Sequence, residues 1–364
     1  MDGDATVPPV GLGCLARTPT DHFDFAVANR SPISDGAFSI HAMSAGGLFQ
    51  DDDVRNWLLA WSTMGYRCAL ITVVGVEGGA PRTVGAQMAV SETGHYAGYL
   101  SGGCLELAVA HEALGVMRSG RNRRVRYGAG SPYIDIRLPC GSSIDVYFDQ
   151  SLDLSLIRRL AELRDTRAAC VLRTDIELGQ STIADIVRPL VVQESWLDGS
   201  IFNRTYLPPL NLQLIGAGPS VTAIARLAAT AGLMVQVASP CEATRNILDD
   251  VGLKSEPMSR PSLPASMSQD PWTAVVLAFH DHVWEPPILK EVLAGPCFYV
   301  GAIGSRNVHA ERLKTLAEDG VAEAGLKRLY GQVGLVPGAK SSATLAVGVI
   351  AEIVGLAKSQ GLVM

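Results

Sequence analysis

Apolar residues recur with two different periods along this chain, and the changes of period lay out its elements. Val54, Trp57, Leu58 and Trp61 fall at helical spacing, whereas residues 68–76 form a short, continuously apolar run that predicts a buried strand. Glycines and a proline interrupt residues 77–90 between two strand-like pieces, a backbone suited to tight turns. A further strand is expected over residues 94–100. Residues 102–114 then read as a glycine turn that runs into a helix, with Leu105, Val109 and Leu114 on one side. Short strands are expected at 125–128, 134–138 and 144–148, around a second glycine turn at Cys140-Gly141. A helix over 156–164 and a strand over 168–172 follow.

Residues 189–209, with Trp196, Asp198, Gly199 and the pair Pro208-Pro209, read as a linker. From residue 210 to 240 comes the clearest local pattern: an apolar strand, a glycine turn, an alanine-rich helix and a second strand. This is the opening βαβ unit of a dinucleotide fold. Residues 274–279 and 298–303 are continuously apolar, as parallel strands covered on both faces require. Helices are expected around 288–293, 308–317 and 343–356. The predicted fold class is therefore α/β: an irregular leader (1–50), an N-terminal mixed α/β domain (51–188), the linker, and a C-terminal Rossmann-like parallel-sheet domain (210–364).

Size and composition agree with two globular domains, since 364 residues exceed one average core and 48% are apolar against 18% charged. A net charge of −6 gives no broad attraction for nucleic acid or an anionic membrane. No run reaches the roughly 20 apolar residues of a membrane span, and the first residues lack the basic segment and apolar core of a secretory signal, so the expected location is the cytoplasm. The seven cysteines are scattered and never form a Cys-x-x-Cys pair, which points away from a disulfide framework and a thiolate zinc site.

Four places carry candidate chemistry. Gly216 and Gly218 have the spacing that brings a turn close to a pyrophosphate, but Val221 replaces the third glycine. Ser239-Pro240 stands where an NAD site places an acid, with Arg245 beyond it as a candidate phosphate partner. Gly304, Ser305 and Arg306 follow a strand and suit an anion clamp. His280, Asp281 and His282 also follow a strand end, either as a polar rim or as part of a metal site. In the N-terminal half, Gly102, Gly103 and Cys104 open a helix, where unpaired N–H groups lower a thiol's pKa, and Glu106 is the candidate acid–base partner. Cys140 beside Gly141 is a second candidate thiol, Arg82 after Pro81 a possible anion donor. Buried thiols and packing glycines are the rival reading at each position.

Together, Glu77-Gly78-Gly79-Ala80-Pro81-Arg82, Gly85-Ala86-Gln87-Met88, Gly98-Tyr99-Leu100-Ser101-Gly102-Gly103-Cys104-Leu105-Glu106 and Cys140-Gly141-Ser142-Ser143-Ile144-Asp145-Val146 resemble the N-terminal domain of the xanthine dehydrogenase accessory factors, the XdhC/CoxI family. The likeness continues through Gly216-Ala217-Gly218, His280-Asp281, Gly301-Ala302-Ile303-Gly304-Ser305-Arg306, Gly334-Leu335 and Gly338-Ala339, and spans roughly residues 52–356. The resemblance implies a maturation factor that binds molybdenum cofactor (molybdopterin), promotes or protects its sulfurated form and helps deliver it to a molybdenum hydroxylase. It also implies a homodimer, with a cysteine desulfurase as a further partner. Cys104 and Cys140 inherit a sulfur-handling role from it. The chain departs from the family where Gly141-Ser142 replaces two glycines, where Ser341-Ser342-Ala343 replaces a Thr-Pro-Glu-like stretch, and where the acid after the second Rossmann strand is missing. These departures leave two alternatives standing, an oxidoreductase using NADP or NAD and a non-catalytic scaffold.

Overall fold

Among the described residues, nine strands between residues 68 and 206 form two antiparallel sheets, and six parallel strands after them form a third. The computed structural model describes residues 53–80, 82–101, 105–131, 141–186, 195–279 and 282–363, all within one unit spanning His41–Met364. The expected leader and the expected strand at 134–138 lie outside the described residues.

The first sheet is assembled from α1 (Arg55–Thr63), β1 (Cys68–Glu77), β2 (Gln87–Ser91), β3 (Tyr96–Gly98), α2 (Glu106–Ser119), β4 (Arg123–Gly128) and β5 (Ser143–Asp149), with strand order β3-β2-β1-β5-β4. Side chains alternate across a strand. On β1, Ala69, Ile71 and Val73 accordingly enter the core beneath α2, while Leu70 and Val74 enter the cores on the opposite face.

That opposite face meets α3 (Leu154–Asp165), whose N-cap Asp153 accepts a hydrogen bond from Leu156 N at 2.8 Å, and a second sheet. The second sheet contains β6 (Cys170–Asp175), β7 (Gln180–Asp185), β8 (Trp196–Asp198) and β9 (Ile201–Tyr206) in the order β7-β6-β9-β8. Strands β8 and β9 correct the linker expected over 189–209. Gly199-Ser200 is a hairpin turn, with Gly199 at φ +59° and the flanking Asp198 paired to Ile201. Phe202 and Tyr206 then bury their rings. Residues that resemble a linker in composition are here a turn between paired strands.

The third sheet follows β10 (Asn211–Gly216), α4 (Pro219–Thr230), β11 (Met234–Ser239), α5 (Glu242–Asp249), β12 (Ser255–Pro257), β13 (Thr273–Ala278), α6 (Glu285–Ala294), β14 (Tyr299–Ala302), α7 (Arg306–Glu318), α8 (Glu323–Leu326), β15 (Leu329–Gly331) and α9 (Ser342–Ser359). Its order, β12-β11-β10-β13-β14-β15, is the 3-2-1-4-5-6 arrangement of a dinucleotide-binding sheet counted from β10. Leu212, Leu214, Ala274 and Val276 face α4 and α9, while Ile215, Val275 and Leu277 face α6. By length and composition alone α9 is apolar enough to cross a membrane, but Ala346, Val349, Ile353 and Ala357 belong to the core of this sheet.

Arg167, in the left-handed region at φ +55°, ties the second sheet to the third. Its guanidinium donates to Asp270 Oδ2 at 2.5 Å and Oδ1 at 3.2 Å, and to Pro209 O at 2.9 Å.

Candidate functional site

Strand register brings distant motifs to one edge of the first sheet. β1 and β5 run antiparallel with Glu77 opposite Ser143, and β4 places Gly128 opposite the same Ser143. The chain also leaves β3 in the direction in which it leaves β1, because β2 is antiparallel to both. The segments beginning at Glu77, at Ser101 and at Gly141 therefore all lie on this edge. Gly78, at φ +79°, passes so close to residue 142 that an added Cβ would sit 3.4 Å from the Cα and Cβ of Ser142. Ala129 N donates to Ser142 O at 3.1 Å, and Ser143 Oγ to Glu77 Oε2 at 3.4 Å. Gly141 is at φ +67° with open space around it, so turn geometry is what demands a glycine there.

Ion pairs brace the rim. Arg126 donates to both oxygens of Glu77 at 3.0–3.1 Å and to both oxygens of Asp145 at 3.0 Å, while Arg124 reaches Asp145 Oδ2 at 3.0 Å. The Arg126 hydrogen bonds, outweighing burial, hold the Asp145 carboxyl below the usual carboxylate range.

Glu106, the expected acid–base partner of Cys104, is engaged by the backbone of its own loop. Only 2% exposed, its carboxylate accepts from Leu100 N (2.9 Å), Ser101 N (2.8 Å), Ser101 Oγ and Leu105 N (3.1 Å). Burial pushes its pKa up, but the backbone donors of Ser101 and Leu100 outweigh that and leave the group below its ordinary value. An ionised carboxylate saturated with donors is a poor base at neutral pH. It clamps the chain leaving β3 to the start of α2, which begins at Glu106, after the expected glycine turn. Gly102, Gly103, Cys104 and Cys140 lie outside the described residues. Arg82 is half-buried on the loop between β1 and β2.

The second group of expected residues gathers at the carboxyl ends of the parallel strands, where open α/β sheets bind ligands. Gly216, at φ +152°, crosses β13 closely enough that a Cβ would collide with the Ala278 carbonyl oxygen, and Ala217 N donates to that oxygen at 3.0 Å. Gly218 N donates to Thr244 Oγ1 at 2.9 Å. Arg245, the expected phosphate partner, donates from Nη1 to Ser239 O at 2.8 Å and so ties α5 to β11. At the β14 end, Ser305 caps α7 by accepting from Val308 N at 3.3 Å, and Arg306 Nε donates to Gln332 Oε1 at 3.0 Å. His280 and Asp281 lie outside the described residues, and His282 opens a single 3-10 turn, His282–Trp284. No cluster of three metal-ligating side chains occurs among the described residues.

Two features of this end carry no signal in the sequence. Cys241, at the N-cap of α5, has its thiol pulled below the ordinary range by the Thr244 hydroxyl first and then by α5 amides. Thr244 itself, buried, takes the second glycine's amide. The first is local to the start of α5, whereas the second depends on the docking of α5 against the glycine turn, which spacing along the chain does not encode.

Residues 61–128 match the XdhC and CoxI family, and residues 212–353 match the XdhC Rossmann domain. Among curated proteins, the chain is 35% identical to a protein of Escherichia coli (strain K12) named molybdenum cofactor insertion chaperone PaoD, over 79% of this chain and 83% of that one. It is 27% identical to a probable xanthine dehydrogenase component of Bacillus subtilis (strain 168), over 78% and 92%. Among solved structures, a xanthine dehydrogenase from Bacillus halodurans superposes with a TM-score of 0.64 at 21% identity, covering 84% of this chain and 96% of that one. This last likeness is one of fold.

Proposed function

The chain belongs to the XdhC and CoxI family, and from that premise we propose that it accepts molybdenum cofactor at the glycine-rich edge of the first sheet and passes it to a molybdenum hydroxylase. One observation carries the reading: β1–β5 pairing sets Glu77 opposite Ser143, far apart in sequence, at the edge toward which the chain also leaves β3. The name of the E. coli relative supports it.

The edge fits a polar, bulky ligand. Gly78 and Gly141 keep the backbone free of side chains, Tyr99 and Leu107 stand exposed beside the loop, and Glu106 holds that loop in place. When bound, the cofactor supplies the metal centre that a hydroxylase uses. This chain's part is to cradle it, with Cys104 and Cys140 as the thiols for the sulfurated form. We place the protein in the cytoplasm as a homodimer that works with the hydroxylase and a cysteine desulfurase.

A nicotinamide-dependent oxidoreductase is the second reading, favoured by the 3-2-1-4-5-6 strand order. Against it, Ser239 is fully buried at the position of the ribose-binding acid, Arg245 is committed to the Ser239 carbonyl, and Thr244 occupies the amide of Gly218. Protein purified without oxygen is assayed for molybdenum by mass spectrometry and for pterin by fluorescence, with Cys104→Ala and Cys140→Ala alongside. Cofactor binding is expected in the wild type and is lost in at least one folded variant. Full binding in both variants removes the thiols from the assignment, and substrate-dependent oxidation of NADPH without pterin affinity establishes the oxidoreductase.

A further inference from the structure

The first glycine turn of the parallel sheet has its Gly218 amide occupied by Thr244; at the turn leaving β14, Ser305 takes the Val308 amide, and the unmatched donor lies below the backbone. Beneath that turn lies Arg312 of α7, 5% exposed. Its Nε and Nη2 grip Glu285 at 2.9 and 3.1 Å, and Nη2 also donates to Ile303 O at 3.1 Å. The third nitrogen, Nη1, is buried and has no hydrogen-bond partner among the described residues. Three residues earlier on α7, His309 Nδ1 is likewise buried without a partner among them. Its ring packs on Gly331 at the end of β15, where a Cβ would collide with it. Burial first, then the Arg312 charge, hold His309 below the usual imidazole range.

Buried donors of this kind are nearly always satisfied, so a cationic N–H left over is a request for an acceptor. Glu285 already balances the guanidinium charge, so Nη1 is surplus to the protein's own ion pair. Gly304 brings the turn down onto this group: a Cβ there would come within 3.0 Å of Val308 Cγ1 and 3.3 Å of Arg312 Nη2. Above, Ser305 and Arg306 are exposed, and α7 runs for 13 residues from this point, its N-terminal end at the turn.

We propose that the turn from β14 into α7 is an oxyanion site for a phosphate or diphosphate group. Its donors are the first amides of α7, the Arg306 guanidinium and, from below, Arg312 Nη1. Helix N-termini favour such anions, and a buried guanidinium N–H adds a directed donor. The site does not depend on the molybdenum-cofactor reading.

The test is calorimetric titration of the full chain with inorganic pyrophosphate at low ionic strength. The wild type binds at millimolar concentration or tighter, and Arg306→Gln and Arg312→Lys each weaken binding by about tenfold, as loss of one charge-assisted hydrogen bond implies. The lysine keeps the charge opposite Glu285 but has no second arm for the turn. Should Arg312→Lys lower the unfolding temperature, the exposed Arg306→Gln decides the result. Absence of binding by the wild type overturns the proposal, as does unchanged affinity in Arg306→Gln. So does loss in Gly218→Val while both arginine variants bind normally, since the anion then sits at the first glycine turn.

Discussion

Replacing Glu106 by Gln changes one atom and tests whether the carboxylate is the clamp of the 100–106 loop. Among the described residues both oxygens act only as acceptors, from Leu100 N, Ser101 N, Ser101 Oγ and Leu105 N. The best glutamine rotamer keeps its oxygen on Leu100 N and Ser101 N and turns its NH2 toward Leu105 N, donor against donor. Two charge-assisted bonds become neutral ones, and the Leu105 amide falls back on its 3.1 Å contact with Ser101 Oγ. The cost is about 2–3 kcal/mol, which for a chain of this length lowers the unfolding temperature by roughly 3–5 °C. Acid titration supplies a second signature. The folded pKa of Glu106 is depressed, so its stabilisation is present above the unfolded carboxyl value and is lost as pH falls through the folded one. The stability gap between wild type and Glu106→Gln, measured by denaturant unfolding, therefore narrows as the solution is acidified. A variant that melts with the wild type at neutral pH, or a gap constant down to strong acid, refutes the clamp.

Asp149 behaves in the opposite sense: burial raises its pKa despite donors from Asn122, Ser151 and Ser181. Its folded form prefers the proton, so stability declines as pH rises from the unfolded carboxyl value through the folded one. Asp149→Asn removes that decline and is expected to be neutral or stabilising near pH 7 by about 0–1 kcal/mol, as chemical denaturation would report. Gly216→Ala forces a Cβ onto the Ala278 carbonyl at a φ of +152°, and is expected to cost about 3 kcal/mol or more, visible as a lower melting temperature or as insoluble protein.

Much of the third sheet was legible because its signals are local. The strand–glycine–helix–strand pattern of residues 210–240 became β10, α4 and β11, and the apolar runs at 274–279 and 298–303 became β13 and β14. Strands covered on both faces leave short continuous apolar runs, as the antiparallel β1 also does, and the flanking glycine turn and helix mark these as parallel. The second sheet was harder. Between β8 and β9 the sequence around the Gly199-Ser200 turn has the composition of a linker, and β6 pairs with β9 across some 30 intervening positions. Within the candidate site, motif residues could be found along the chain, but what each does could not. Glu106 lies two positions from Cys104 yet spends its oxygens on the backbone, and Arg245 turns back to the Ser239 carbonyl. Such commitments are set by loop closure and helix docking, which no residue spacing records.

The short passage from β9 to β10 limits how the protein can be divided. Only Leu207, Pro208, Pro209 and Leu210 separate the last antiparallel strand from the first parallel one, and Arg167 grips both the Pro209 carbonyl and Asp270. Two prolines restrict the backbone and the guanidinium pins it, so the halves are joined as by a splint and not by a tether. A cut near residue 189 would carry β8 and β9 away from β6, exposing a fresh strand edge on one fragment and an orphan hairpin on the other. A cut within 207–210 spares both sheets but severs the splint. Any rearrangement that moves one half against the other must first release Arg167, which makes that single arginine the place to look for a hinge.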